Sequence, residues 1–214
     1  MPYCRQMENT LMIASLPLKT NDTPMKIKNL LLAFIAVLTV NTAIAQTTPP
    51  SADEVLKGAM KEAKAQKKKV FIMFHASWCG WCHKMDDAMN EADMKPLFDK
   101  SFVIKHITVM ENDPKKKADE NPGGMDMIKK YNSDGFGIPL WFIFDTDGKL
   151  LVDSHMRPEG TGFETKGKQI VGCPAAKEEV DEFVRALKLT TKLNKDELEK
   201  IYARFRKNDP AYKG

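Results

Sequence analysis

The spacing of hydrophobic and polar positions divides this chain into alternating helices and strands. Apolar residues recur at helical intervals over about residues 52–66, and Ser51 and Glu54 stand at the start with the spacing of a capping box. A continuous apolar run follows at 70–74, which is typical of a buried strand. The polar, helix-compatible segment from Cys79 onward predicts a second helix, so this part of the chain has the order helix, strand, helix.

The helical spacing of apolar residues and the short apolar runs typical of strands continue to the C-terminus. Pro96 is expected to bend or end the helix that starts at Cys79, because proline is not tolerated in a helix interior. Asn194 is expected to cap the last helix, with Glu197 three residues on. The remaining elements are predicted as strands at 102–109, 140–144 and 149–152 and as helices at 125–131, 175–189 and 195–207, with a loop at 153–172.

Composition excludes some classes of protein. The 214 residues are 43% hydrophobic and 29% charged, which suits one globular domain with extensions. The net charge of +4 argues against nucleic acid as a partner, and the lysine runs at 67–69 and 115–117 are interpreted as solvated faces. The cysteines are too few and too irregularly spaced for a disulfide framework, so their thiols are expected to serve chemistry. They are Cys4, Cys79, Cys82 and Cys173.

The N-terminal region has the parts of a secretory signal. Residues 25–45 combine basic residues, an apolar stretch and a small-residue ending, which predicts cleavage before Gln46. The alternative is an uncleaved anchor, but polar residues interrupt the apolar run short of the roughly 20 residues that span a bilayer. We therefore expect residues 1–24 to be a non-native upstream extension and 46–51 a linker. The mature protein is expected in the periplasm, without stable membrane insertion.

Two cysteines mark the junction between the buried strand and the second helix. Cys79 and Cys82 are three positions apart, so on a helix they lie on one face, close enough to form a disulfide with little backbone movement. Cys79 falls at the helix N-terminus, where unpaired N–H groups and the helix dipole stabilise a thiolate and lower its pKa below the free value of about 8.5. Cys79 is the predicted nucleophile, and Cys82 is the predicted resolving thiol.

The segment Trp78-Cys79-Gly80-Trp81-Cys82 resembles the W-C-x-x-C active site of the thioredoxin-like superfamily. The predicted order of elements matches that superfamily over residues 52–189. The resemblance implies an α/β fold with a central mixed sheet of about four to five strands flanked by helices. Residues 190–214 would then add a C-terminal helical extension.

The resemblance also implies an activity, that of an exported thiol–disulfide oxidoreductase. Its partners would be client proteins with disulfides or thiols and an upstream thiol reductant, membrane-bound or soluble. Reduction of clients is favoured over oxidation, and the redox-active disulfide Cys79–Cys82 would serve without any cofactor. Trp78, Gly80 and Trp81 are the supporting residues of the motif.

Two further positions come from the resemblance, and one departs from it. Ile138-Pro139 precedes a predicted strand as the cis-proline of the superfamily does, so Pro139 is expected to be cis and to face the dithiol. Many relatives carry a buried carboxylate six residues before the first cysteine, where this chain has Met73. Asp86 matches an acidic position of similar periplasmic reductant domains, and it is the nearest candidate in sequence to accept the proton that Cys82 loses. The alternative is that water accepts this proton and that Asp86 is an ordinary surface carboxylate.

Several alternatives remain open at this level. Cys79, Cys82 and His83 could instead bind copper or zinc as soft ligands in a metal-delivery protein of the same fold, or the domain could be a non-catalytic binding module. Trp81 is either an exposed aromatic or part of an apolar surface for clients. Cys173 is a buried hydrophobe, a third redox thiol or an intermolecular link.

The histidines carry less information. His83 is either solvent-facing or a cation that stabilises a thiolate. His75, His106 and His155 show no spacing that suggests ligands, and they are expected to be structural.

Overall fold

A computed structural model describes residues 48–158, 160–162 and 164–213. The predicted signal peptide at 25–45, the upstream segment 1–24 and Cys4 lie outside the described residues. No helix within the described ranges has the length and apolar character needed to cross a membrane.

The first helix begins as the sequence predicts. The Ser51 hydroxyl accepts a hydrogen bond from the Glu54 N–H at 3.3 Å, and the Glu54 carboxylate accepts one from the Ser51 N–H at 2.8 Å. These reciprocal bonds satisfy two N–H groups that the first turn leaves without helical partners. The helix α1 (Ala52–Gln66) follows and ends at Lys67, which adopts the left-handed conformation.

The other elements follow with bounds close to those predicted. In chain order they are β1 (Lys69–His75), α2 (Gly80–Asn90), α3 (Lys95–Asp99), β2 (Phe102–Thr108), a 3-10 helix (Pro114–Asp119), α4 (Gly124–Lys130), β3 (Leu140–Phe144), β4 (Leu150–Asp153), β5 (His155–Met156), β6 (Gln169–Ile170), α5 (Lys177–Thr190) and α6 (Lys195–Arg206).

Four of the strands form one mixed sheet in the order β2-β1-β3-β4. β1 runs parallel to β2 and antiparallel to β3, and β3 and β4 form an antiparallel hairpin. This arrangement confirms the predicted α/β fold with a central mixed sheet.

Alternation along β1 gives the sheet two buried faces. Phe71 and Met73 point to one face, where they pack with side chains of α2, α5 and α6. Val70 and Phe74 point to the other face, which α1 and α4 cover. Because successive side chains of a strand alternate in direction, one apolar run supplies both cores. The sheet is therefore buried on both sides, and the start of α2 lies at one end of β1.

The structure corrects two boundaries. The helix that begins after Cys79 ends at Asn90, and Pro96 lies in the first turn of the separate helix α3. A proline is accepted there because the first turn has no helical partner for its missing N–H. The predicted loop at 153–172 also contains the two-stranded sheet of β5 and β6, whose two-residue strands are too short to show a period in sequence.

The C-terminal helix shares the core of the domain. Ile201 and Phe205 of α6 are fully buried, and the Phe205 ring centroid lies 4.9 Å from that of Phe183 in α5. The cap is also as predicted, since Asn194 Oδ1 accepts a hydrogen bond from the Glu197 N–H at 3.0 Å. Residues 195–206 thus pack on the same sheet face as the helix that carries the two cysteines.

Candidate active site

Cys79 and Cys82 form a disulfide at the start of α2, with an S–S distance of 2.02 Å. Cys79 is the N-cap residue of the helix, and the Cys82 N–H donates to its Sγ at 3.2 Å. This N–H lies in the first turn of the helix, where no i−4 carbonyl is available; it donates to the Cys79 carbonyl oxygen at 3.0 Å and also points at the sulfur that would carry negative charge after reduction. The geometry therefore stabilises a thiolate on Cys79 and not on Cys82.

The two tryptophans of the motif frame the disulfide. Trp78 is 49% exposed and Trp81 is 50% exposed, whereas Cys79 is 3% exposed and Cys82 is fully buried. Gly80 lies between them, and a Cβ added there would meet no atom within 4 Å. The disulfide is thus set at the base of an aromatic surface, and only the Cys79 side of it reaches solvent.

A buried carboxylate that the sequence analysis did not single out anchors the segment before Cys79. Glu111 accepts hydrogen bonds from the Ser77 N–H at 2.6 Å and from the Ser77 hydroxyl at 2.8 Å. Beside it, the Trp78 indole N–H donates to the Met110 carbonyl oxygen at 2.7 Å. Burial opposes ionisation of Glu111, but the Ser77 bonds and the nearby Lys116 charge outweigh it and lower the pKa of this carboxyl. The only signal in the sequence is an acidic residue that follows the apolar pair Val109-Met110, three positions after the end of β2.

Pro139 lies at the entrance to β3, on the side of the disulfide. The Ile138–Pro139 peptide bond is cis, and the Ile138 carbonyl oxygen lies 3.6 Å from Cys79 Sγ. Pairing of Leu140 with Phe74 places the start of β3 beside the end of β1. The structure thus brings together the two segments that the sequence analysis singled out 59 positions apart.

Asp86 lies on α2 next to a histidine that sequence spacing did not connect with it. Its Oδ1 is 2.8 Å from His106 Nε2, and both side chains are about one third exposed, at 28% and 34%. His106 pairs in register with Met73, the residue that replaces the expected carboxylate. The His75 ring centroid is 5.0 Å from that of His106, and burial together with the His106 charge lowers the pKa of His75. A polar cluster of Asp86, His106 and His75 therefore borders Met73.

The remaining candidate residues lie apart from the disulfide chemistry. His83 is exposed, and its Nε2 lies 3.0 Å from the Ser77 carbonyl oxygen. Within the described part of the chain, no three His, Cys, Asp or Glu side chains converge on a point where they could hold a metal ion. His155 is buried in a separate network with Ser133, as expected for a structural histidine.

Cys173 has an environment unlike that of the dithiol. It is 6% exposed, and burial raises the pKa of its thiol to about 12. The amide nitrogen of Asn208 lies 3.5 Å from its Sγ. A thiol that keeps its proton at ordinary pH cannot attack a disulfide, so the structure favours the buried-hydrophobe interpretation.

Comparisons with known proteins cover the part of the chain that holds this site. A model of the family described as thioredoxin-like matches residues 52–146. Protein disulfide isomerase-like 1-1 of Arabidopsis thaliana is 27% identical over 120 residues, which are 55% of this chain and 21% of that protein. The chain therefore spans about a fifth of the length of the curated relative that it matches.

Two solved structures give weaker similarities. A disulphide isomerase from Xylella fastidiosa Temecula1 is 18% identical, with a TM-score of 0.39, and the alignment covers 72% of this chain and 87% of that one. The oxidised C-terminal domain of DsbD from Neisseria meningitidis is 27% identical, with a TM-score of 0.34 and coverage of 49% and 84%. The family match includes Cys79, Cys82, Asp86 and Pro139, whereas α5 and α6 lie beyond it.

Proposed function

We propose that this chain, whose residues 52–146 form a domain of the thioredoxin-like family, catalyses thiol–disulfide exchange with polypeptide clients through Cys79 and Cys82. One observation carries the proposal: the two sulfurs are bonded at the start of α2, and the Cys82 N–H points at the Sγ of Cys79. A helix terminus with a donor aimed at one sulfur gives the two thiols different roles.

The exchange begins with Cys79 in the reduced protein. Its thiolate attacks one sulfur of a client disulfide, which forms a bond between Cys79 and the client and releases the other client sulfur as a thiolate. Cys82 then loses its proton and attacks Cys79 Sγ, which re-forms the bond between Cys79 and Cys82 and releases the second client thiol. The client gains two electrons and two protons, and the protein is oxidised by the same amount.

Asp86 is proposed to accept the proton that Cys82 loses. The Cys82 thiol is fully buried, so burial disfavours its thiolate and an acceptor is needed. Met73 cannot act as one, but the polar cluster of Asp86, His106 and His75 borders it. The carboxylate reaches solvent at 28% exposure, which lets the proton leave the protein.

The supporting residues define the surface that a client meets. Pro139 and Ile138 lie beside Cys79, and the half-exposed Trp81 lines a groove together with them. Gly80 adds no side chain to the space between. These contacts support direct access of a polypeptide disulfide to Cys79.

The protein needs an electron donor to act repeatedly as a reductase. An upstream dithiol protein, membrane-bound or soluble, would reduce the Cys79–Cys82 disulfide by the same exchange run in reverse. The signal-like segment at 25–45 supports action outside the cytoplasm, in the periplasm, where protein disulfides persist.

The test is an equilibrium redox titration of the purified full chain against dithiothreitol buffers, with metal content measured on the same sample. We expect one two-electron transition that involves Cys79 and Cys82, with a potential in the range of about −270 to −120 mV that such proteins span. Reduction of insulin by the pre-reduced protein should follow. A stoichiometric metal ion that blocks alkylation of both cysteines, with no insulin reduction, would contradict the proposal in favour of metal delivery.

A further inference from the structure

The segment that follows α6 contacts the active-site helix at Lys84. The Lys84 Nζ donates a hydrogen bond to the Asn208 carbonyl oxygen at 3.2 Å. The same Nζ lies 4.5 Å from the centroid of the Trp81 ring, in position for a cation–π interaction. One side chain therefore links the exposed tryptophan of the C-x-x-C motif to the C-terminal segment.

Asn208 is held rigidly enough to act as an anchor. The residue is 2% exposed, and its amide nitrogen donates to the Pro174 carbonyl oxygen at 2.9 Å. Its side-chain oxygen accepts a hydrogen bond from Arg204 at 3.1 Å. Arg204 in turn pairs with Glu91 at the end of α2, with two contacts of 2.6 Å. The C-terminal segment is thus joined to α2 at the middle of that helix, through Lys84, and at its C-terminal end, through Glu91.

A groove of about 520 Å³ lies between these parts and the proline loop. Trp81 forms one wall, Ile138 and Pro139 another, and the segment 208–210 closes the far side together with Val171. The groove therefore starts beside the disulfide and ends at residues beyond the thioredoxin-like match.

The charged residues of the groove already have partners. The Glu179 carboxylate accepts hydrogen bonds from the N–H groups of Ala175 and Ala176, both at 3.0 Å. Asp209 pairs with Arg206 at 3.3 Å. What the groove offers to a ligand is consequently apolar and aromatic, which suits the apolar side chains that flank a cysteine in an unfolded polypeptide.

We propose that Lys84, anchored on Asn208, holds the Trp81 ring as a wall of this groove and so sets a preference for polypeptide disulfides over small ones. The inference rests on the proposed function. Lys84 acts here as a positioning residue, because it reaches the client only through Trp81. The C-terminal segment, outside the family match, becomes part of client selection.

The experiment compares two disulfides on the same pre-reduced protein. Single-turnover kinetics with insulin in excess give the dissociation constant for insulin and the limiting rate of its reduction. The small disulfide 5,5′-dithiobis(2-nitrobenzoate) gives the rate at which Cys79 attacks a disulfide that does not occupy the groove. In Lys84→Met, which keeps the length of the side chain but removes its charge and donor, the dissociation constant for insulin should rise about two- to fivefold. The limiting rate and the rate with the small disulfide should stay unchanged.

Two matched variants separate positioning from general effects. Lys84→Arg keeps a cation over the ring, and it should recover most of the insulin affinity. Lys61→Met removes an exposed lysine of α1, remote from the groove, and should behave as wild type. Thermal denaturation of each variant accompanies the kinetics, because a folding defect would slow both disulfides together.

The outcomes distinguish this inference from the function it rests on. If wild type reduces both disulfides but Lys84→Met matches it on insulin, or loses rate equally on both, the positioning role is wrong and the proposed function stands. If wild type reduces neither disulfide, the proposed function itself fails.

Discussion

Cys79 and Cys173 lie in two regions that both border the proline loop at 138–139. Cys79 Sγ is 3.6 Å from the Ile138 carbonyl oxygen, and Cys173 lines the groove that Pro139 also lines. Yet Cys79 caps a helix and accepts a hydrogen bond from a backbone N–H of the first turn, whereas Cys173 accepts one from the Asn208 side-chain amide, and burial raises its pKa to about 12. In the proposed function, the same residue type acts as a nucleophile in one region and as a small apolar side chain in the other.

The difference lies in the backbone around each thiol. A helix terminus supplies unpaired N–H donors and the positive end of a dipole, and both favour a thiolate. Burial without such donors favours the neutral thiol. Proximity to the proline loop is common to the two sites and cannot be the deciding factor.

The sharpest way to break this comparison is to remove each thiol in turn. Cys79→Ser should lower the rate of insulin reduction by about 10⁴-fold or more, because no other thiol among the described residues is placed at a helix start to attack. Cys173→Ala should leave the rate within about twofold of wild type. A large loss in Cys173→Ala with unchanged thermal stability would show that the third thiol takes part in the reaction.

Alkylation of the reduced protein tests the same contrast without a client. At pH 8 a thiol with a pKa of about 12 is ionised to only about one part in 10⁴, so iodoacetamide should label Cys173 about a thousandfold more slowly than an unperturbed cysteine. Cys79 should react at least as fast as an unperturbed cysteine. Peptide mass spectrometry over time measures both rates, and labelling in urea provides the control, in which Cys173 should react at the ordinary rate.

The segment 153–157, which is joined to the chain just before Cys173 by the hydrogen bond from the Val171 N–H to Ser154, contains a buried ion pair. Loss of this pair should lower the stability of the protein and leave the reactivity of the dithiol unchanged. Arg157 contacts both carboxylate oxygens of Asp153 at 2.6 and 2.7 Å, and their side chains are 7% and 1% exposed. Arg157→Met leaves the Asp153 charge buried without this partner, so the free energy of unfolding should fall by about 3–5 kcal/mol. Urea denaturation measures this change.

The alkylation rate of Cys79 in the folded Arg157→Met variant is the companion measurement. It should equal the wild-type rate, because the hydrogen bonds described for Arg157 join it to residues 153, 155 and 165, which lie outside α2. A slower rate in the folded variant would mean that the two regions are coupled.

A smaller effect is expected from Asp86. Asp86→Asn should slow the resolving attack by Cys82 about ten- to hundredfold near neutral pH while leaving the first attack by Cys79 unchanged. Met73→Asp, made in the same background, should restore part of the loss by returning a carboxylate to the face of Cys82. Stopped-flow kinetics across a range of pH measures the rates of both steps. Equal resolving rates in wild type and Asp86→Asn would show that water, and not Asp86, accepts the proton from Cys82.

The parts of the fold that could be predicted are those encoded by local pattern. The caps at Ser51 and Asn194, the apolar run of β1 and the strand-to-helix junction at Cys79 are each specified by a few consecutive residues, and all lie where expected. The two-residue strands β5 and β6 were missed because they are held by tertiary contacts and have no periodicity of their own.

The site was predictable to the same extent. The disulfide is a local feature, because its two cysteines are three positions apart. The residues that hold the site in place come from distant parts of the sequence. Glu111 reaches Ser77 across 34 positions and His106 reaches Asp86 across 20, and no spacing rule connects such pairs before the chain is folded. The contact of Lys84 with Asn208 spans 124 positions and is the extreme case.

The most direct test of the central claim is mass spectrometry of the adducts that two cysteine variants form with a disulfide-bonded client. Cys82→Ser can attack but cannot resolve, so it should accumulate a mixed disulfide between Cys79 and the client, while Cys79→Ser should accumulate none. The hydrogen bond from the Cys82 N–H to Cys79 Sγ predicts this difference between the two variants, because it favours a thiolate on Cys79. An adduct on Cys82 in the Cys79→Ser variant, with none in Cys82→Ser, would reverse the roles and contradict the account.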